Sequence, residues 1–130
     1  MSCADVCIDH EDYSDCDASD LYREAVVTAR KLHVCCECGD PIQAGMRYQR
    51  ASGKYDGKMW VECTCILCLE IRKVFVCGSV VLGMLWDSIE DAIFPIWEEK
   101  GPIDCLAKVE SLEARTKLRT RYTAWSKRQL

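Results

Sequence analysis

Two cysteine pairs of identical spacing, Cys35-x-x-Cys38 and Cys65-x-x-Cys68, limit what this chain can fold into more than any other feature. Two residues between paired cysteines let one tight knuckle aim both sulfurs at a single ion, and zinc favours four soft ligands in a tetrahedron. The pattern predicts a structural zinc held by Cys35, Cys38, Cys65 and Cys68, and hence a fold in which two distant knuckles meet. The 26 residues between Cys38 and Cys65 exceed the common zinc-ribbon gap, and a hairpin that runs out and back accounts for them. Cys36-Glu-Cys38 and Cys63-Thr-Cys65 offer other ligand choices, but each abandons the paired spacing. A thioredoxin-like role would use one pair at a helix start and leave the other unexplained. His33, two residues before Cys35, reads as a neighbour that caps or shields the site.

The chain has 130 residues and 11 cysteines, an odd count. Its start, MSCADVCIDHEDYSD, has neither a basic segment nor an apolar core of a secretory signal, so a reducing compartment and metal ligation are expected rather than disulfides. A second ion could be held by Cys3, Cys7 and Cys77, with His10 or Cys16 nearby, which would pin down the acidic start. The longest apolar runs, at 74–86 and 92–97, fall short of the roughly 20 residues that a bilayer crossing needs. No membrane span is expected.

Pattern along the chain predicts an α+β protein: a small zinc-ribbon-like hairpin module with two knuckles, packed against a mainly helical C-terminal half. Residues 1–20 form an acidic, cysteine-containing arm, 21–76 the zinc module and 77–130 the helical region, in one compact unit. Leu21, Ala25, Val26 and Ala29 lie at helical spacing and predict a short helix ending before His33. MRYQRAS and KMWVECT flank GKYDG as two strands about a turn. The second knuckle, CILCLEIRKVF, passes directly into a helix through Leu69 and Val74. After Gly78, Val81, Leu85, Ile89, Ala92 and Ile96 form a helical stripe that Pro95 should bend or end. Beyond Lys100-Gly-Pro, the series Ile103, Leu106, Val109, Leu112, Leu118, Tyr122 and Trp125 predicts a second, antiparallel helix. Trp60, Trp86, Trp97 and Trp125 read as core residues.

The net charge of −4 conceals a split: residues 1–20 carry seven acids and no base, while 111–130 carry six bases against Glu113. A basic helix and a basic hairpin can meet phosphate or an acidic protein, which makes Arg47, Arg50, Lys54, Lys58, Arg119 and Arg121 candidate partner-binding residues. Catalysis is not expected. Four thiolates leave a zinc ion no open position for water. A deaminase would need an H-x-E and P-C-x-x-C pairing, and no Gly-rich phosphate loop or G-x-S-x-G elbow is present.

The stretch TARKLHVCCECGDPIQAGMRYQRASGKYDGKMWVECTCILCLEIRKVF, followed by CGSVVLGMLWDSIED, resembles a group of small zinc-binding proteins of bacteriophages and prophages. Their form is ARK-x-H-x-CCEC, I-x-x-G-x-x-Y, an SG-x-x-DG turn and C-x-x-C before a helical close. The likeness spans roughly positions 28–100, and the N-terminal CADVC departs from it. It implies that the four paired cysteines are ligands, that the chain acts in the cytoplasm of an infected bacterium, and that it is an accessory product binding a host protein, as in host takeover or anti-CRISPR-like inhibition. A nucleic-acid-binding regulator using the basic hairpin and C-terminal helix is the alternative, and self-association through the apolar helix at 79–97 would give a homodimer.

Overall fold

The computed structural model describes residues 20–76, 81–100 and 107–129. Among the described residues five strands precede four helices: β1 Asp20–Thr28, β2 His33–Val34, β3 Pro41–Ile42, β4 Arg47–Tyr55, β5 Lys58–Cys65, α1 Ile66–Phe75, α2 Leu85–Ala92, α3 Phe94–Lys100 and α4 Leu112–Arg128. The architecture is α+β, with every strand pairing antiparallel. The longer strands form a three-stranded sheet of order β1-β4-β5, and β2 pairs with β3 in a small separate ribbon.

The hairpin of β4 and β5 is set by its turn. Asp56 and Gly57 both adopt positive φ, 49° and 79°, the two-residue geometry that matches strand twist and that Asp-Gly favours. Tyr55 therefore pairs with Lys58, and the register runs unbroken to Tyr48 opposite Cys65. The strand enters the turn later than GKYDG suggested, because Gly53, Lys54 and Tyr55 remain in the ladder.

The helix expected before His33 is a strand. Residues Arg23 to Thr28 pair one by one with Ser52 to Arg47, so β1 supplies the second hydrogen-bonding partner that a central β4 needs. The helical spacing of Ala25 and Val26 had nothing to bury against, since residues 22–26 are exposed. Consecutive Val26, Val27 and Thr28 are β-branched and suit a pleated surface. Tyr22 also meets Trp60 of β5 with ring centroids 5.8 Å apart, and the strand between them presents Gly53 opposite Trp60. Two aromatic rings thereby cover a position that has no side chain of its own.

Cys65 ends β5 and caps α1: its sulfur accepts the Cys68 N–H at 3.4 Å. The stripe beyond residue 80 is split. A turn through Gly83, at φ 90°, leads into α2, and the chain breaks at Ile93 before α3. Pro95 is the second residue of α3, where a missing N–H costs no helical bond. The expected break thus occurs two residues ahead of the proline. Ile103 and Leu106 of the expected second stripe lie outside the described residues; helix α4 starts at Leu112, beyond Val109, at a Ser111 cap whose hydroxyl accepts the Ala114 N–H at 3.1 Å. Ala114 and Leu118 face inward, but Leu112 is 72% exposed.

One core joins strands and helices. Ile42, Tyr48, Ile71, Phe75, Leu85, Ile89, Phe94, Trp97, Val109 and Leu118 are all buried in the same cluster. Phe94 is its aromatic hub, with ring centroids 5.2 Å from Trp97, 5.3 Å from Tyr122 and 5.7 Å from Trp125. Trp86 and Trp97 are buried as expected, while Trp125 packs partly buried at the rim. The apolar stripe that self-association would have used, Leu85, Ile89 and Ile93, is buried within the chain itself. No helix among the described residues is long and apolar enough to cross a membrane.

Candidate metal centre

The first cysteine pair lies in the turn joining β2 to β3. Cys35 N–H donates to the Asp40 carbonyl at 2.9 Å and Gly39 N–H to the Cys35 carbonyl at 3.0 Å, closing a tight loop. Gly39 takes φ 78° there, which a side chain would resist. The second pair is carried differently, by the junction of β5 with the first turn of α1. The register of the hairpin decides that these two distant segments meet: pairing Tyr48 with Cys65 brings the end of β5 back beside the start of β4.

All four sulfurs, of Cys35, Cys38, Cys65 and Cys68, lie within 4.8 Å of one another. A metal at about 2.3 Å from each of four sulfurs sets tetrahedron edges of about 3.8 Å, and the Cys38 and Cys65 sulfurs are 3.9 Å apart. The donor set therefore fits one tetrahedral thiophilic ion such as zinc. Cys35, Cys65 and Cys68 are buried and Cys38 is half-buried. Among the described residues this is the one cluster of three or more His, Cys, Asp or Glu side chains with converging donor atoms.

Each sulfur also accepts one N–H. Cys35 receives it from Cys65 N at 3.3 Å, Cys38 from Asp40 N at 3.4 Å and Cys65 from Cys68 N at 3.4 Å. Cys68 receives it from the indole Nε1 of Trp86, at 3.4 Å. Such bonds favour thiolate over thiol. The C-terminal helix adds positive charge from one side. Arg121 lies 4.7 Å over the Trp86 ring and donates to the Cys38 carbonyl at 3.0 Å, and Lys117 forms an ion pair with Asp40. Burial opposes the Lys117 charge, but hydrogen bonds to Asp40 and the Cys38 sulfur, with the charges of Cys38 and Cys68, raise its pKa above the ordinary lysine value.

The thiols themselves divide. Hydrogen bonds from Cys38, Cys65 and Cys68 hold Cys35 far below the usual thiol range. Cys38, which Cys35 opposes and Cys65 and Cys68 assist, is lowered to about 5. The bond to Cys35 pushes Cys65 and Cys68 up. Four adjacent sulfurs cannot all be anionic without a cation among them, so metal binding to this cluster must displace protons.

No protein-family model matches the chain, and no curated protein or solved structure is found to be similar to it.

The remaining candidates are distributed as follows. Cys3, Cys7 and Cys77, proposed for a second ion, lie outside the described residues, as do Cys16, Cys105 and His10. Cys36 and Cys63 stand apart from the cluster: Cys36 Sγ is 3.5 Å from Thr64 Oγ1 and Cys63 Sγ is 3.8 Å from His33 Nδ1. His33 does not cap a helix; it opens β2, and its ring centroid is 5.0 Å from that of Tyr48. The four hairpin cations do not share a face. Arg50 and Lys54 lie on one side of β4, whereas Arg47, whose guanidinium donates to the Val26 carbonyl, and Lys58, paired with Tyr55, lie on the other. Arg119 is exposed on α4, while Arg121 is engaged beside the four-cysteine cluster by the Cys38 carbonyl and the Trp86 ring.

Sequence reading missed the support beneath the first knuckle. Glu37, between Cys36 and Cys38, has a wholly buried side chain that is ion-paired with Arg72 of α1 at 2.7 Å. Arg72 also donates to Gln49 at 2.9 Å and to Thr64 at 3.1 Å, and Glu37 accepts the Leu85 N–H at 3.2 Å. One charge pair thereby ties the knuckle to β4, β5, α1 and the start of α2. An acidic residue inside a cysteine knuckle, with an arginine four positions after the last cysteine, is the signal that could have suggested it.

Proposed function

We propose that this chain is a phage-encoded accessory protein that carries one structural zinc and works by binding a host protein inside the infected bacterium. The observation that carries the reading is the closed character of the four-cysteine cluster. Each sulfur already accepts an N–H, and four thiolates complete a tetrahedron. A zinc there would have no position for water or substrate, so its role would be to hold the fold. In that reading the module is zinc-ribbon-like, with the second pair carried on a helix start in place of a second strand-to-strand knuckle.

Activity would then reside on the surface that the metal supports. The hairpin presents Met59 and Val61 exposed on one face, apolar area of the kind that protein interfaces use. The phage origin and host partner rest on the sequence resemblance, and a host defence complex such as a CRISPR effector is the partner class that it favours. The nucleic-acid alternative is weakened by the division of the hairpin cations between two faces and by the engagement of Arg121.

Affinity capture of the intact protein from lysate of its host, followed by reconstitution with the captured species, tests the proposal. A single host protein that forms a defined-stoichiometry complex after nuclease treatment is expected. Retention of nucleic acid alone, with no protein partner, would overturn it.

A further inference from the structure

We propose that a groove at the C-terminal end of β1 is the docking site for an extended acidic segment of a partner protein. This rests on the protein-binding reading above and specifies the chemistry of the partner. The groove, about 810 Å³ in volume, is lined by residues 27–31 with His33, Tyr48 and Arg50. Arg30, Lys31 and Arg50 thus converge on one concavity, and no carboxylate lines it.

Two other grooves differ in this respect, since Glu70 and Glu110 line one and Asp40 and Glu90 the other. Arg72, Lys117 and Arg128 are each ion-paired, and Arg121 is held by Trp86 and the Cys38 carbonyl. Arg30, Lys31 and Arg50 form no ion pair among the described residues. Three cations with no ion-pair partner among the described residues thus line one concavity, in a protein of net charge −4. Charge complementarity then specifies an anionic occupant.

Two observations favour a peptide over nucleic acid. Tyr48 is only 5% exposed and packs against His33, so the one tyrosine in the lining offers no open face on which a base could stack. The groove also borders β1, one of the two edge strands of its sheet. Its nine residues leave one row of backbone N–H and C=O groups without a strand partner among the described residues. An extended peptide can add to such an edge through its own backbone while its alternate side chains reach the groove. Acidic side chains at those alternate positions would meet Arg30, Lys31 and Arg50.

The test is fluorescence anisotropy with the full-length, zinc-loaded protein and two labelled probes: a short peptide alternating Glu and Thr, and oligo-dT of equal length. The peptide should bind saturably, more tightly than the oligonucleotide, and more weakly as salt rises. The K31E/R50E variant should lose about tenfold or more in affinity, and the milder R50Q variant should lose less, with zinc content and circular dichroism unchanged in both. N-methylation of alternate peptide amides should also weaken binding, because strand addition needs those donors. Absence of peptide binding, equal binding to K31E/R50E, or tighter binding of oligo-dT would each overturn the proposal. If a host protein still bound K31E/R50E undiminished, the groove assignment alone would fall. If no host protein bound either form, the protein-binding reading would fall with it.

Discussion

Replacing Arg72 with Met tests how the first cysteine knuckle is braced. The guanidinium is almost fully buried and serves three side chains, Glu37 at 2.7 Å, Gln49 at 2.9 Å and Thr64 at 3.1 Å. Without it the Glu37 carboxylate, itself inaccessible to solvent, keeps only the Leu85 N–H. Removing one partner from a buried pair costs about 3 to 5 kcal/mol, because the charge left behind is neither hydrated nor compensated. That is a large share of the roughly 5 to 15 kcal/mol by which domains are stable. Urea denaturation of zinc-saturated protein should show a lower midpoint in R72M at unchanged slope. The E37M/R72M double variant should be less destabilised than the two single losses summed, by a coupling of about 2 to 3 kcal/mol. A loss in R72M below about 1 kcal/mol, or strictly additive effects, would refute the reasoning.

Further outcomes follow from the same geometry. Trp86→Phe keeps an aromatic ring beneath Arg121 but removes the donor to Cys68, and should lower zinc affinity by about 10- to 100-fold in competition with a chromophoric chelator; unchanged affinity would exclude Trp86 from supporting the metal. Burial, with the charge of Glu37 adding to it, raises the Cys36 thiol to about 11. Because a raised pKa means a neutral thiol at physiological pH, iodoacetamide labelling of Cys36 should be slow at pH 7 and accelerate about tenfold per pH unit towards that value; a plateau near pH 8 by peptide mass spectrometry would contradict it. Cys65→Ser removes a candidate ligand while its hydroxyl can still cap α1, and should unfold the module cooperatively, whereas an unaltered melting profile would count against a structural metal.

Local chemistry was legible in the sequence and distant pairing was not. The Cys-x-x-Cys spacing and the Asp56-Gly57 turn are short-range signals, and both lead directly to the observed knuckle, hairpin and four-sulfur cluster. The second knuckle did pass straight into a helix because Cys65 can cap it. Residues 20–28 were misread for the opposite reason. Their state is decided by the demand of β4 for a second partner, which periodicity within the segment does not register. The same holds for the centre's outer support: Glu37 and Arg72 are 35 positions apart, and Arg121 is 83 positions from the Cys38 carbonyl it binds. Arg121 looked like a free surface cation only because the docking of α4 was not in view.

Zinc K-edge absorption spectroscopy on the purified full-length protein, with metal content measured on the same sample, tests the central claim most directly. The account predicts a first shell of four sulfurs at about 2.3 Å, lost together with the folded state when Cys35, Cys38, Cys65 or Cys68 is substituted. A shell containing nitrogen from His33, an oxygen-rich shell, or a protein that stays folded with no metal bound would contradict it.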